Sequence, residues 1–98
     1  MEPLTATEMI LIVEDDLKTA SLVALYLERE GFKTVRAPDG QRALELARQY
    51  PPCFVILDLM LPQIDGWEVC RELRRFSDVP ILILSAREDE FDRVMGLS

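Results

Sequence analysis

Histidine is absent from the 98 residues, which excludes a histidine-based catalytic triad, a histidine metal site and a histidine phosphoacceptor. The two cysteines, Cys53 and Cys70, lack CxxC spacing and lie in apolar, periodic segments. Free thiols packed in the interior are therefore favoured over a disulfide or a metal site. Any phosphoryl chemistry in this chain must use carboxylates.

Long apolar runs and positive charge are also scarce. No stretch approaches the roughly 20 apolar residues that a membrane span requires, and the first residues lack the features of a secretory signal. The formal net charge of −7 argues against direct binding of nucleic acid by this segment. We therefore predict a cytoplasmic chain of one domain, without membrane or nucleic-acid contact.

Apolar and amphipathic segments alternate along the sequence. The patterns predict strands over 9–13, 32–36, 53–57 and 81–84, and helices over 17–30, 39–50, from 65 onwards and over 88–97. Residues 1–8 are predicted to be a flexible leader. Strands that alternate with crossover helices predict an α/β fold with a parallel sheet.

Several residues mark the predicted helix ends. Gly31 is suited to end the first helix, and Asp39 and Asp65 are suited to begin the next two as N-caps. Glu68, three residues after Asp65, predicts a reciprocal capping arrangement. One face of the third helix is predicted to carry Val69, Leu73 and Phe76.

Acidic residues follow two of the apolar strands. Glu14, Asp15 and Asp16 come after the first, Asp58 comes after the third, and Ser85 follows the fourth. Ligands of parallel sheets bind beyond the carboxyl ends of the strands, and carboxylates gathered there repel one another unless a cation lies between them. An acid directly after a buried apolar run is costly without a purpose. The pattern predicts a divalent metal beside an aspartate that accepts a group.

Taken together, these motifs resemble a bacterial response-regulator receiver domain. The resemblance rests on residues 12–16, 57–62, 65–66 and 85–86, in order at the predicted strand ends. Residues 70–75 and 92–97 are similar to the regulators that carry a winged-helix DNA-binding domain. The resemblance implies a flavodoxin-like, doubly wound parallel sheet with strand order 2-1-3-4, and a phosphoacceptor that controls an output domain outside this chain.

The resemblance also implies roles for individual residues. Asp58 would accept a phosphoryl group from a sensor histidine kinase. Mg²⁺ would be bound by Asp15, Asp58 and the backbone carbonyl of Met60, with Glu14 acting through water. Asp16 is a rival for the Glu14 or Asp15 role. Ser85 would hydrogen-bond a phosphoryl oxygen and pass the signal to residues 86–98. The chain would catalyse its own phosphorylation and dephosphorylation, and would not be an enzyme in the ordinary sense.

The chain departs from the family pattern in two respects. The family places a lysine at the end of a fifth strand, whereas Lys18 and Lys33 are the only lysines here and neither is in a comparable position. Residues 9–98 are therefore expected to form an incomplete receiver domain, without the fifth strand and helix. We expect Mg²⁺ binding to survive and phosphorylation to be slow. The exposed edge of the fourth strand predicts self-association or a domain-swapped dimer.

Other functions stay open at this point. The main alternative is a pseudo-receiver or truncated self-association module that works without phosphorylation, which the missing lysine favours. A phosphatase with an aspartate nucleophile usually has a second acid two residues later, where this chain has Met60. A flavin-binding domain of the same topology is disfavoured by the acidic loop after the first strand.

Overall fold

Strand and helix alternate without exception in residues 8–85, the part of the chain that the computed structural model describes. The strands are β1 (Met9–Val13), β2 (Lys33–Ala37), β3 (Phe54–Asp58) and β4 (Ile81–Ser85). The helices are α1 (Leu17–Arg29), α2 (Gly40–Gln49) and α3 (Gly66–Arg74). The helix predicted over 88–97 and residues 1–7 of the predicted leader lie outside the described residues.

The four strands form one parallel sheet in the order β2-β1-β3-β4. This arrangement confirms both the predicted α/β fold and the predicted strand order. The central strands β1 and β3 are buried along nearly their whole length, as their continuous apolar sequences predict for strands covered on both faces. The carboxyl ends of these two neighbouring strands therefore lie side by side.

Within residues 8–85, the sheet is covered unequally on its two faces. The larger cluster of buried side chains lies between the sheet and helices α2 and α3, and includes Leu11, Val13, Leu44, Ala47, Val55, Leu57, Val69 and Leu73. The smaller cluster lies under α1 and consists of Ile10, Ile12, Ala20 and Ile56. In β4, Leu82 and Leu84 are exposed.

The helices begin where the sequence predicts, each behind an aspartate. The side chains of Asp16, Asp39 and Asp65 accept a hydrogen bond from the backbone N–H three residues on. After α1 the chain turns at Gly31, whose φ of 95° lies in the left-handed region that glycine tolerates. Together these residues set the points at which each helix leaves and rejoins the sheet.

Two predictions about α3 are wrong. The Glu68 carboxylate pairs with Arg71 one helical turn further on, so the reciprocal capping bond to Asp65 is not made. Phe76 lies beyond the end of α3 and is 40% exposed, whereas Val69 and Leu73 are fully buried. Phe76 instead packs against the guanidinium of Arg48, 4.7 Å from the ring centre.

A register shift interrupts the pairing of β3 with β4. Leu57 is paired with Ile83, but the next residue, Asp58, is paired with Ser85. β4 therefore uses one residue more than β3 over this step, and Leu84 is the extra residue. Bulges of this kind are common beside functional sites, because they change which residue faces a given partner. Here the bulge brings the backbone of Ser85 level with Asp58.

Candidate functional site

Three carboxylates meet at the carboxyl ends of β1 and β3. Glu14 and Asp15 follow β1 directly, and Asp58 is the last residue of β3. Each carboxylate offers an oxygen atom, and these oxygen atoms all lie within 4.8 Å of one another. Glu14 and Asp58 are buried, with 3% and 5% of their surface exposed, whereas Asp15 is open to solvent. The structure thus brings together three of the residues that the sequence singled out.

Backbone N–H groups orient the two buried carboxylates. Oδ1 of Asp58 accepts a hydrogen bond of 2.9 Å from the backbone N–H of Met60, two residues later. Oε2 of Glu14 accepts one of 3.0 Å from the backbone N–H of Asp16. The backbone N–H of Glu14 in turn donates to the carbonyl of Ala37, which extends the pairing of β1 with β2 past the end of the strand. The acids are therefore held by the main chain around them.

Burial and crowding change the acidity of Glu14. Chiefly burial, together with the neighbouring carboxylates of Asp58 and Asp15, raises the pKa of the Glu14 carboxyl from 4.5 to about 7, although the hydrogen bond from the Asp16 N–H acts to lower it. A carboxyl shifted in this way disfavours its own charged form. A cation placed among the three oxygens would reverse that preference.

Asp16 has a different task from its two neighbours. Its side chain accepts hydrogen bonds from the backbone N–H and the hydroxyl of Thr19, and so caps α1. These bonds from Thr19 lower the pKa of the exposed Asp16 carboxyl. Asp16 is not among the three acids whose oxygen atoms converge. The sequence favoured Glu14 and Asp15 for the metal, with Asp16 as a rival. In the structure Asp16 caps α1, whereas Glu14 and Asp15 converge with Asp58.

The other two predicted residues lie beside the cluster. Met60 contributes its backbone N–H to Asp58, and its side chain is exposed. The sequence predicts a role for the Met60 carbonyl oxygen, and this stays a prediction. Ser85 ends β4 and is paired with Asp58 across the sheet, so its backbone lies at the same edge as the acids.

Sequence reasoning missed Arg36, which lies one residue before the end of β2. Its Nε donates a hydrogen bond of 3.0 Å to the carbonyl oxygen of Glu14, and its Nη2 donates one of 2.8 Å to the carbonyl oxygen of Asp15. Its place in an alternating edge strand gave no sign of this contact. The register of β2 against β1, which pairs Arg36 with Ile12, would have suggested that the side chain reaches the acidic loop.

The donor set favours a hard divalent cation. The three converging groups are all carboxylates, and oxygen ligands of this type suit Mg²⁺, Ca²⁺ or Mn²⁺ better than softer metals. Glu14 and Asp58 each have one oxygen engaged by a backbone N–H, and each carboxylate has a second oxygen. The residues present thus fit a small cation that binds oxygen.

Within residues 8–85, no helix is long and apolar enough to cross a membrane.

Comparison with known sequences shows which protein family this chain is similar to. The profile of the response regulator receiver domain matches residues 10–98. The chain is 45% identical over 91 residues to the transcriptional regulatory protein BaeR of Escherichia coli, and covers 38% of that protein. It is 44% identical over 89 residues to the alkaline phosphatase synthesis transcriptional regulatory protein PhoP of Bacillus subtilis, and covers 37% of it. The chain thus spans less than two-fifths of the length of these curated relatives.

Solved structures show the same similarity. The BeF₃-activated N-terminal receiver domain of RstA from Klebsiella pneumoniae superposes with a TM-score of 0.82 at 36% identity, covering 91% of this chain and 76% of that one. The N-terminal domain of a response regulator receiver protein from Methanoculleus marisnigri superposes with a TM-score of 0.78 at 30% identity, with the same coverage. The backbone described above is therefore similar to that of experimentally determined receiver domains.

Proposed function

The chain belongs to the response regulator receiver domain family, and we propose that Asp58 accepts a phosphoryl group from a sensor histidine kinase in the cytoplasm. The observation that carries the proposal is the convergence of three carboxylate oxygens, from Glu14, Asp15 and Asp58, within 4.8 Å. Such a cluster stabilises nothing by itself, because like charges repel. Its geometry is explained by a function that needs a cation next to an acceptor carboxylate.

Glu14, Asp15 and Asp58 would hold Mg²⁺, with the carbonyl oxygen of Met60 as a further ligand. When bound, Mg²⁺ supplies positive charge that offsets the negative charge of the transferring phosphoryl group. The raised pKa of Glu14 supports a cation at this position. The donor set of oxygen atoms alone supports a hard cation such as Mg²⁺.

Asp58 would act as the nucleophile. The hydrogen bond from the Met60 N–H orients its carboxylate and leaves the second oxygen for reaction. That oxygen would form a bond to the phosphorus of phosphohistidine while the P–N bond breaks. The imidazole nitrogen would keep the bonding electron pair and take up a proton, and the product would be an acyl phosphate on Asp58. Phosphoryl transfer of this kind depends on positioning and on charge stabilisation more than on covalent help from the protein.

Ser85 would respond to phosphorylation of Asp58. Its backbone is paired with Asp58 across the bulge, which supports a hydroxyl placed near a phosphoryl group on that residue. A hydrogen bond from Ser85 to a phosphoryl oxygen would couple the site to residues 86–98. The curated relatives are named as transcriptional regulators. We therefore propose that the phosphorylation state of Asp58 controls a DNA-binding output domain outside residues 1–98.

Intact-mass analysis tests this function directly. The chain is incubated with Mg²⁺ and a small-molecule phosphodonor such as acetyl phosphate, with Asp58→Asn as the control. We expect the wild-type chain to gain roughly 80 Da for one phosphoryl group, and the variant to gain nothing. No gain in the wild type, with the metal bound, would favour a pseudo-receiver that acts through association alone.

A second experiment tests the metal site. Asp15→Asn and Asp16→Asn remove the same charge at adjacent positions, and asparagine caps a helix about as well as aspartate. In a Mg²⁺ titration, we expect Asp15→Asn to weaken binding and Asp16→Asn to leave it nearly unchanged. Equal affinities for Asp15→Asn and the wild type would contradict the proposed ligand set.

A further inference from the structure

Arg36 is bonded to the main chain of the acidic segment and not to its carboxylates. Its guanidinium reaches from β2 to two consecutive carbonyl oxygens, those of Glu14 and Asp15, at 3.0 and 2.8 Å. These two residues contribute two of the three converging carboxylates. The guanidinium of Arg36 therefore holds the loop by its carbonyl groups. It does not occupy the position among the carboxylates that a metal ion would take.

We propose that Arg36 is a positioning residue for the carboxylate site, and that its two hydrogen bonds set the affinity of the site for a divalent cation. The inference rests on the proposed function, since it concerns the same site. It adds a residue from β2, a strand that supplies none of the acids. The site would therefore depend on three neighbouring strands, β2, β1 and β3.

The main chain around the acids explains why such a residue is needed. Backbone pairing with β2 ends at the bond from the Glu14 N–H to the Ala37 carbonyl, and α1 begins only at Leu17. Asp15 lies between these two supports and is exposed. Repulsion among the carboxylates would push its side chain into solvent. The two bonds from Arg36 hold the peptide groups on either side of the Asp15 N–Cα–C unit, which restricts that movement.

The chemistry of the guanidinium group makes a two-point hold possible. Nε and Nη2 lie in one rigid plane, so they fix the distance and the relative orientation of the two carbonyl groups that they contact. A lysine ammonium would keep the charge but would lack this planar fork. A comparison of Mg²⁺ affinity between the wild-type chain and Arg36→Lys thus separates the effect of the hydrogen-bond geometry from the effect of the charge.

The test compares Arg36→Lys and Arg36→Met with the wild-type chain. Arg29→Met serves as the control, because it removes the same charge from the last turn of α1, about 20 Å along the helix axis from the acidic loop. Mg²⁺ affinity is measured by calorimetric titration. The rate of phosphorylation by acetyl phosphate is then measured as a function of Mg²⁺ concentration.

We expect both Arg36 variants to bind Mg²⁺ about tenfold more weakly, a typical effect of losing a group that orients a metal ligand. Arg29→Met should bind like the wild type. At saturating Mg²⁺ both Arg36 variants should regain the wild-type rate, because the ligands themselves are unchanged. A general loss of structure would lower the rate at every Mg²⁺ concentration.

Several results would overturn the inference. Wild-type affinity in Arg36→Lys would show that charge alone matters, and equal weakening in Arg29→Met would show a long-range electrostatic effect. A rate that stays low at saturating Mg²⁺ would show a merely structural role for Arg36. Failure of the wild-type chain to bind Mg²⁺ would instead refute the proposed function itself, and the inference with it.

Discussion

At the scale of single residues, the site is a balance between burial and charge. Glu14 is almost fully buried beside two other carboxylates, and its pKa is raised to about 7 for that reason. In the unfolded chain the same group would titrate near 4.5. The folded protein therefore binds a proton at Glu14 over a pH range in which the unfolded chain has released it.

This difference in pKa predicts how stability depends on pH in the absence of divalent cations. Between pH 4.5 and about 7 the folded state holds more protons than the unfolded state, so the free energy of unfolding must fall as the pH rises. We expect the contribution of Glu14 to fall by about 1 to 3 kcal/mol across this range. Below pH 4.5 and above about 7, the contribution of Glu14 to the free energy of unfolding should not change with pH.

Urea unfolding in EDTA, at a series of pH values, checks this prediction. Glu14→Gln is the control, because it cannot titrate, and the quantity of interest is the wild-type stability minus that of the variant. A difference in stability that rises with pH between 4.5 and about 7 would contradict the raised pKa of Glu14 in the folded protein. Saturating Mg²⁺ should suppress the fall, if the proposed metal site is correct.

Gly66 is a second residue whose identity is dictated by its surroundings. A Cβ atom at this position would lie 2.6 Å from the Cα of Leu59 and 2.9 Å from the carbonyl oxygen of Asp58. Both are main-chain atoms, which cannot move aside as a flexible side chain could. Gly66 therefore lets the start of α3 approach the loop that follows the acceptor aspartate.

We expect Gly66→Ala to destabilise the protein by about 1 to 3 kcal/mol, as other substitutions that overpack a closed interior do. Urea unfolding measures this loss. Gly31→Ser is a useful comparison, because position 31 is spatially open and any cost there comes from its positive φ. A neutral effect of Gly66→Ala would mean that α3 can shift away from the loop without penalty.

The sequence predicted the acids of the site but not the residue that holds them. Glu14, Asp15 and Asp58 could be found because each follows an apolar run, and the carboxyl ends of adjacent parallel strands meet at one edge. Arg36 could not be found in this way, since it binds carbonyl groups that every residue possesses. Which carbonyl a side chain reaches depends on strand register, and the sequence pattern alone does not define that register.

At the scale of secondary-structure elements, local signals predicted the starts of the helices better than the ends of the strands. The caps at Asp39 and Asp65 are as predicted, because an N-cap depends on bonds within three residues. β2 and β3 each lie one residue later than predicted, so that β3 ends at Asp58, and β4 extends one residue further than predicted, to Ser85. Those polar residues still pair with a neighbouring strand, which an apolar pattern does not reveal.

The observed pairing of Glu68 leads to a test of the α3 start. Asp65→Ala should cost about 1 kcal/mol, because it removes the cap on the Glu68 N–H. Glu68→Gln should cost no more than about 0.5 kcal/mol, since among residues 8–85 its side chain pairs only with the exposed Arg71. Thermal or urea unfolding of both variants distinguishes the two contributions. Similar losses would indicate that Glu68 also takes part in capping.

At the scale of the whole molecule, the fold follows from its pattern of elements. The alternation of strands and helices predicted the parallel sheet, and the resemblance to receiver domains supplied the strand order that the structure confirms. The unequal cover on the two faces was harder to foresee. It depends on which helix packs deeply, and α1 carries apolar residues such as Leu22, Leu25 and Tyr26 that remain exposed.

The exposed residues of β4 predict association between chains. Within residues 8–85, β4 pairs only with β3, and Leu82 is 51% exposed. Apolar residues on a strand edge favour pairing with another chain. We expect sedimentation velocity to show association that grows with concentration, and Leu82→Lys to reduce it.

Leu22→Lys provides the matched control for that experiment. Leu22 is exposed to a similar degree, at 53%, but it lies on helix α1 and not on a strand. We expect this variant to associate like the wild type. An equal reduction by both substitutions would point to nonspecific apolar contact, and a monomeric wild type would contradict strand-edge pairing.

The unequal clusters on the two faces of the sheet also predict which of the three helices α1, α2 and α3 opens first. α1 buries only Ala20 fully, whereas α2 buries five residues and α3 three. Local opening follows the elements with the least buried contact, so the amide hydrogens of α1 should exchange with solvent while those of α2 and α3 stay protected. The acidic loop joins the fast-exchanging helix to the slow-exchanging strand β1. Each opening of α1 would therefore displace the Asp16 end of the acidic loop, while the Glu14 end stays fixed to β1.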